Sequence, residues 1–153
     1  MKLKQEDIQL LLKDLCARLP YGVKVHYDMS ADPCWDDDPI GDDNLRGFSC
    51  GSFELDCADG ISVENIKPYL RPMSSMTEEE QKEFGNLVGL WKYKETSHFA
   101  NCLPNLSGEF GKTLITEVTT VKAIDWLNSH HFDYRGLIEK GLALEAPEDM
   151  YDK

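Results

Sequence analysis

A chain of 153 residues fits one domain, since typical domains hold about 100–150 residues and folding at this size buries roughly 70% of the unfolded surface. Its 28 Asp and Glu against 16 Lys and Arg leave a formal net charge of -12, which disfavours direct contact with nucleic-acid backbones and anionic membranes. A hydrophobic fraction of 41% excludes a disordered acidic tail.

The opening residues carry no uninterrupted apolar stretch of about 7–15 residues, as a secretory signal would, and no window reaches the roughly 18 apolar residues of a membrane span. Five cysteines, Cys16, Cys34, Cys50, Cys57 and Cys102, are odd in number and form no C-x-x-C pair. Reduced thiols and a cytoplasmic location are expected.

Ile8, Leu11, Leu12, Leu15 and Leu19 recur at helical spacing, with Lys4, Asp7, Lys13, Asp14 and Arg18 elsewhere on the circumference. Pro20 and Gly22 end that helix. Val23, Val25 and Tyr27 alternate with Lys24, His26 and Asp28, as in a half-buried strand. Residues 28–44 are rich in Asp, Pro and Gly without periodicity and read as an acidic loop. Gly51-Ser52 lies between Arg46–Cys50 and Phe53–Cys57, predicting a type II′ hairpin that points Phe53, Leu55 and Cys57 inward.

Ser62 fits the cap of one helical turn, followed by an irregular crossing held by Pro68 and Pro72. Thr77-Glu78-Glu79-Glu80 is a capping box, opening a helix with Phe84, Leu87, Val88 and Trp91 on one stripe. Residues 96–112 read as loop, and 114–118 fit either a strand or the start of a helix. Thr120 caps a helix with Val121, Ile124 and Leu127 inward, and Asp133 a last short one ending at Gly141. The expected fold is α+β: a small antiparallel sheet of three or four strands packed against about four helices, in a single domain over residues 1–153.

Motifs for chemistry are incomplete. Gly111-Lys112-Thr113 closes a phosphate loop whose opening glycine would stand at Leu106. Residues 28–43 hold Asp28, Asp32, Asp36, Asp37, Asp38, Asp42 and Asp43 without a Lys or Arg. A calcium loop begun at Asp36 would nevertheless put Ile40 at its fifth position and Gly47 at its twelfth. No metal site and no cofactor are expected. Trp35 among these aspartates makes Trp35, Asp36, Asp37, Asp38, Asp42 and Asp43 a candidate surface for a basic protein. Cys50 and Cys57 read as small core residues. His130 and His131 suit a helix C-terminus and, with Arg135, form a second candidate polar site. Arg71 and Arg135 call for carboxylate partners within the fold.

Three stretches carry a resemblance: Leu10–Val23, Glu64–Glu80 with its Lys67-Pro68-Tyr69-Leu70-Arg71-Pro72, and Trp126–Pro147 with its His130-His131-Phe132-Asp133-Tyr134-Arg135-Gly136. The chain resembles a family of short uncharacterised proteins from gut anaerobic bacteria and their phages. The resemblance implies no activity and no catalytic residue. Three functions are weighed in this order: a non-enzymatic interaction or regulatory accessory factor of a bacterium or phage, a small metal-dependent enzyme using His130, His131 or the loop carboxylates, and an acidic mimic of nucleic acid.

Overall fold

The computed structural model describes residues 3–35, 38–87 and 121–151. Its described residues fall into two compact units, one reaching to Tyr69 together with Leu137–Ala146, the other spanning Leu70–Gly136 together with the residues from Pro147 onward. The fold is α+β, with five strands where three or four are expected, and three α-helices among the described residues.

The first unit opens with α1 (Gln5–Arg18), continued by a 3-10 turn over Leu19–Tyr21 that ends on left-handed Gly22. Leu11 and Leu15 are buried as their spacing requires. The rest of the buried stripe corrects the sequence reading, which puts Asp14 and Arg18 on the polar circumference. Both are fully buried, and the Arg18 guanidinium donates to the Asp14 carboxylate through Nε at 2.7 Å and Nη2 at 3.1 Å. The four-residue spacing stacks the two side chains on one helix face, and the two-pronged geometry compensates the desolvation that otherwise keeps charges out of a core.

The sheet follows: β1 (Lys24–Asp28), β2 (Ile40–Ser49), β3 (Ser52–Leu55), β4 (Ile66–Leu70) and β5 (Leu144–Glu145), in spatial order β3-β2-β1-β4-β5. Val23, Val25 and Tyr27 are buried, as alternation predicts. The acidic loop is shorter than expected because β2 begins at Ile40, pairing antiparallel with β1 from Asp28↔Ile40 to Lys24↔Asn44. Its second half turns to β3 after a register shift between Leu45 and Gly47. Gly41 stands opposite Tyr27, and a Cβ there would lie 2.7 Å from the Tyr27 hydroxyl, so any side chain at this position would have to displace the Tyr27 ring.

The β2–β3 hairpin turns one residue earlier than predicted. Ser49 pairs with Ser52 across Cys50 and Gly51, whose φ values are 51° and 83°. Positive φ at both central residues makes this a type I′ turn. Cys50 is therefore exposed at the tip, and Cys57, beyond the end of β3, is exposed too, correcting their reading as core residues. The outer edge of β3 is covered by reciprocal Phe53–Ile61 backbone bonds of 2.8 and 3.0 Å. Residues 66–70, expected as an irregular crossing, form β4, with Pro68 opposite Val25. The expected last helix is one turn, closed by Leu142 N–H to Leu137 O and Gly141 N–H to Ile138 O with Gly141 at φ 69°. That pair of bonds is a Schellman motif.

In the second unit, α2 (Glu78–Leu87) packs on α3 (Val121–Ser129). Their core holds Met73, Met76, Phe84, Ala123, Trp126, Leu127, Phe132 and Tyr134. Val121 is 76% exposed rather than inward. The capping box forms: Glu80 N–H donates to the Thr77 hydroxyl at 3.2 Å, and Thr77 N–H to Glu80 Oε2 at 2.9 Å. A second Schellman motif ends α3 (His131 N–H to Asn128 O, Phe132 N–H to Leu127 O), but its left-handed residue is His131 at φ 59°. A side chain in that conformation costs roughly 1–2 kcal/mol where glycine would cost nothing.

The expected elements at Val88–Trp91, 96–112 and 114–118, and Thr120 as a cap, lie outside the described residues. Asp14→Ala should lower stability by about 3–5 kcal/mol because it removes the carboxylate paired with a buried guanidinium. The double replacement Asp14→Leu/Arg18→Met should instead be neutral or stabilising. Urea denaturation of both variants checks this.

Candidate functional site

Alternation along β1 places Lys24, His26 and Asp28 on the face opposite buried Val25 and Tyr27. The register with β2 then puts Asp42 beside His26 on that outer face and Asp43 beside Val25 on the other. Asp42 Oδ1 accepts from His26 Nδ1 at 2.8 Å and from the Tyr69 hydroxyl at 2.9 Å, tying β2, β1 and β4 together. The carboxylate can only accept, so Nδ1 carries the hydrogen of this bond. Burial, then the bond to Asp42, pushes the Tyr69 hydroxyl up from its ordinary pKa.

Asp43 is used inward. It accepts Asn44 N–H at 2.8 Å and Cys57 N–H at 2.7 Å. Burial pushes its carboxyl up, but the hydrogen bonds from Cys57 and from these amides outweigh that and hold it below its ordinary value. The Cys57 thiol is pushed up by burial and by its bond to Asp43, the opposite of what a nucleophilic thiolate needs.

Between the strands, Asp28 Oδ1 accepts both the hydroxyl and the amide of Ser30, at 2.6 and 3.0 Å. Those bonds hold the Asp28 carboxyl below its ordinary value. Trp35 does not stand out as an anchor. Its indole is half-buried, 6.2 Å from the Tyr27 ring, and its Nε1 donates to Asp38 O at 3.4 Å. Asp38 is exposed, and Asp36 and Asp37 lie outside the described residues. Of the sequence-derived surface, the structure thus leaves Asp38 and Asp42 facing water and turns Asp43 and Trp35 inward.

The residues of the second candidate set make different ring contacts. His130 stacks on Trp126 with ring centres 4.0 Å apart, and its Nδ1 lies 2.9 Å from Trp126 O. His131 turns elsewhere and stacks on Tyr151 at 3.8 Å. The Arg135 guanidinium lies over the Tyr134 ring at 4.9 Å, and the Tyr134 hydroxyl donates to Asn128 at 3.0 Å. A shallow hollow of about 370 Å³ along α1, lined by Gln9, Leu10, Leu12, Lys13 and Cys16, gathers none of these groups. Among the described residues no three His, Cys, Asp or Glu side chains converge to hold a metal ion.

Sequence reading missed His26 and Tyr69 as partners of Asp42. The period-two pattern of β1 already turned His26 outward, but nothing marked 40–44 as the strand beside it. Arg71, by contrast, finds the carboxylate it was expected to need: Glu80, at 2.7 Å from Nη1 and 2.9 Å from Nη2. Its guanidinium also lies 4.3 Å over the Phe132 ring, a cation–π contact.

No protein-family model, no curated protein and no solved structure matches the chain. No helix among the described residues is long and apolar enough to cross a membrane.

Burial pushes the Glu80 carboxyl up, but Arg71 and the Thr77 amide outweigh it and hold it below its ordinary value of 4.5. A depressed folded pKa stabilises fully above the unfolded value and is lost as pH falls through the folded one. Glu80→Gln should therefore cost about 1–3 kcal/mol near neutral pH and flatten the loss of stability below about pH 4.5. Urea titrations of both proteins at neutral and acid pH measure the difference.

Proposed function

We propose that the protein is a non-enzymatic, cytoplasmic interaction or regulatory accessory factor of a bacterium or its phage, and that it takes a basic protein on the acidic stretch of residues 28–43. The observation that carries this reading is how the stretch is satisfied. Asp28 is stabilised as a carboxylate by serine, and Asp42 by a histidine and a tyrosine. Among the described residues, the ion pair in this stretch is to His26, which is charged only when protonated. Exposed carboxylates held as anions by neutral hydrogen-bond donors favour a cationic partner and speed its approach.

The chemistry elsewhere supports a binding role. Among the described residues His26 hydrogen-bonds Asp42 and no hydroxyl or thiol nucleophile. A nucleic-acid mimic needs carboxylates in phosphate-like rows, whereas Asp42 and Asp43 point to opposite faces of one strand.

Affinity capture from bacterial lysate tests the proposal with three baits: the unchanged protein, Asp36→Asn/Asp37→Asn/Asp38→Asn, and Glu78→Gln/Glu79→Gln/Glu83→Gln on the exposed side of α2. The two variants remove equal charge. A basic protein should be enriched by the unchanged bait at about 50 mM salt and released at about 500 mM. It should be lost from the loop variant and kept by the helix variant. No enrichment at low salt, or equal capture by both variants, would overturn the reading.

A further inference from the structure

Antiparallel strands alternate between residues that exchange backbone hydrogen bonds and residues that turn theirs away from the partner. In the β1–β2 pair the phase is set at both ends: Leu45 N–H donates to Val23 O at 3.0 Å, and Met29 N–H to Pro39 O at 2.6 Å. Gly41 and Asp43 therefore bond to Tyr27 and Val25, and the N–H and C=O groups of Ile40, Asp42 and Asn44 point to the other side of β2. Asn44 is met there, its carbonyl accepting from Asp56 N–H at 3.3 Å. Among the described residues, Ile40 and Asp42 have no backbone partner on that side.

Native sheets blunt open edges by covering them or keeping them short. This sheet does so elsewhere: β3 is covered through the Phe53–Ile61 bonds, and β5 is two residues long. The Ile40–Asp42 edge is uncovered among the described residues, and its side chains are exposed, Ile40 at 53% and Asp42 at 56%. Alternation puts both on the outer face, where His26 and Tyr69 hold the Asp42 carboxylate in place. Asp38, just before β2, is exposed as well. Lys24 and Lys67 lie further into the sheet, on β1 and β4.

We propose that this edge takes an extended basic segment of the partner as an added strand. The inference rests on the reading that residues 28–43 bind a basic protein, and it specifies the form in which that protein docks. Backbone bonds to Ile40 and Asp42 hold the segment, and its alternate side chains give selectivity. The residue opposite Asp42 is Lys or Arg, and the one two places along, opposite Ile40, is apolar. A second copy of this chain is disfavoured as occupant, because two-fold pairing of this edge sets aspartates against aspartates.

Amide exchange of the isotope-labelled full chain, followed by NMR with the capped peptide Lys-Thr-Val-Thr-Lys-Thr-Val at about 50 mM salt, tests this. Without peptide, the Ile40 and Asp42 amides should exchange faster than those of Gly41 and Asp43, and the peptide should slow them at least about tenfold. The same peptide N-methylated at every residue keeps its charge but cannot donate, and should bind at least about tenfold more weakly. Ile40→Pro removes one outward N–H and no bond to β1, so it should weaken binding too, whereas Ile40→Val should not. The proposal is overturned if the peptide slows neither amide, or if the N-methylated peptide binds as tightly. It is equally overturned if Ile40 and Asp42 are already as slow as their neighbours without peptide, or if protein concentration alone slows them, as a second copy on the edge would. Should Ile40→Pro not fold, the N-methylated peptide decides. The lysate capture through residues 36–38 is scored separately, so strand addition can fail while the acidic stretch still takes a basic protein; absence of capture by the unchanged bait removes both.

Discussion

The register between β1 and β2 fixes most of what the first unit presents to solvent. Val25 and Tyr27 must face inward to bury their apolar surface, and a period-two strand has no freedom after that choice. Pairing Val25 with Asp43 and His26 with Asp42 then assigns the two neighbouring carboxylates to opposite faces. One becomes an acceptor for backbone amides, and the other joins a histidine and a tyrosine across three strands. A slip of one residue would bury Asp42 and set Ile40 against the core, so the hydrophobic pattern of β1 also determines the chemistry of β2.

Charge inside the fold follows a different rule from charge on the ribbon. Asp14 with Arg18 and Arg71 with Glu80 are both two-pronged carboxylate–guanidinium pairs, one fully buried and one largely so. In each the planar fork satisfies two acceptors at once, which a lysine could not do. Glu80 also serves the Thr77 amide, so one carboxylate closes a capping box and anchors an arginine that stacks on Phe132. These pairs consume arginines in a chain with few cations. Asp28, Asp32, Asp42 and Asp43 accept instead from serine, histidine, tyrosine and amide donors.

Legibility in the sequence tracked how local each cause is. The apolar spacing of α1, the alternation of Val23, Val25 and Tyr27, and the Thr77–Glu80 box act within one element, and all three formed. Residues 40–44 (Ile-Gly-Asp-Asp-Asn) have poor strand propensity, and their state is imposed by β1 beside them, an override that propensity does not contain. Pro68 misled similarly, because a strand tolerates proline wherever no ladder bond needs its nitrogen. The hairpin slipped by one residue because Gly51 suits the first position of a II′ turn and the second of a I′ turn equally well. Asp14 and Arg18 were readable as an (i, i+4) pair. Their burial was not, since only tertiary packing decides whether a paired charge faces water or core.

Composition overstated the ribbon's outward charge. The seven aspartates of 28–43 account for more than half of the net -12, leaving -5 elsewhere. Folding then subdivides them: Asp43 is turned to amides, Asp28 is committed to Ser30, and Asp42 is shared between His26 and Tyr69. These bonds are made to the ionised forms, so they preserve the negative charge while fixing where it sits. Carboxylates already oriented on a strand and its adjoining turn have less conformational entropy left to lose than those of a flexible acidic loop.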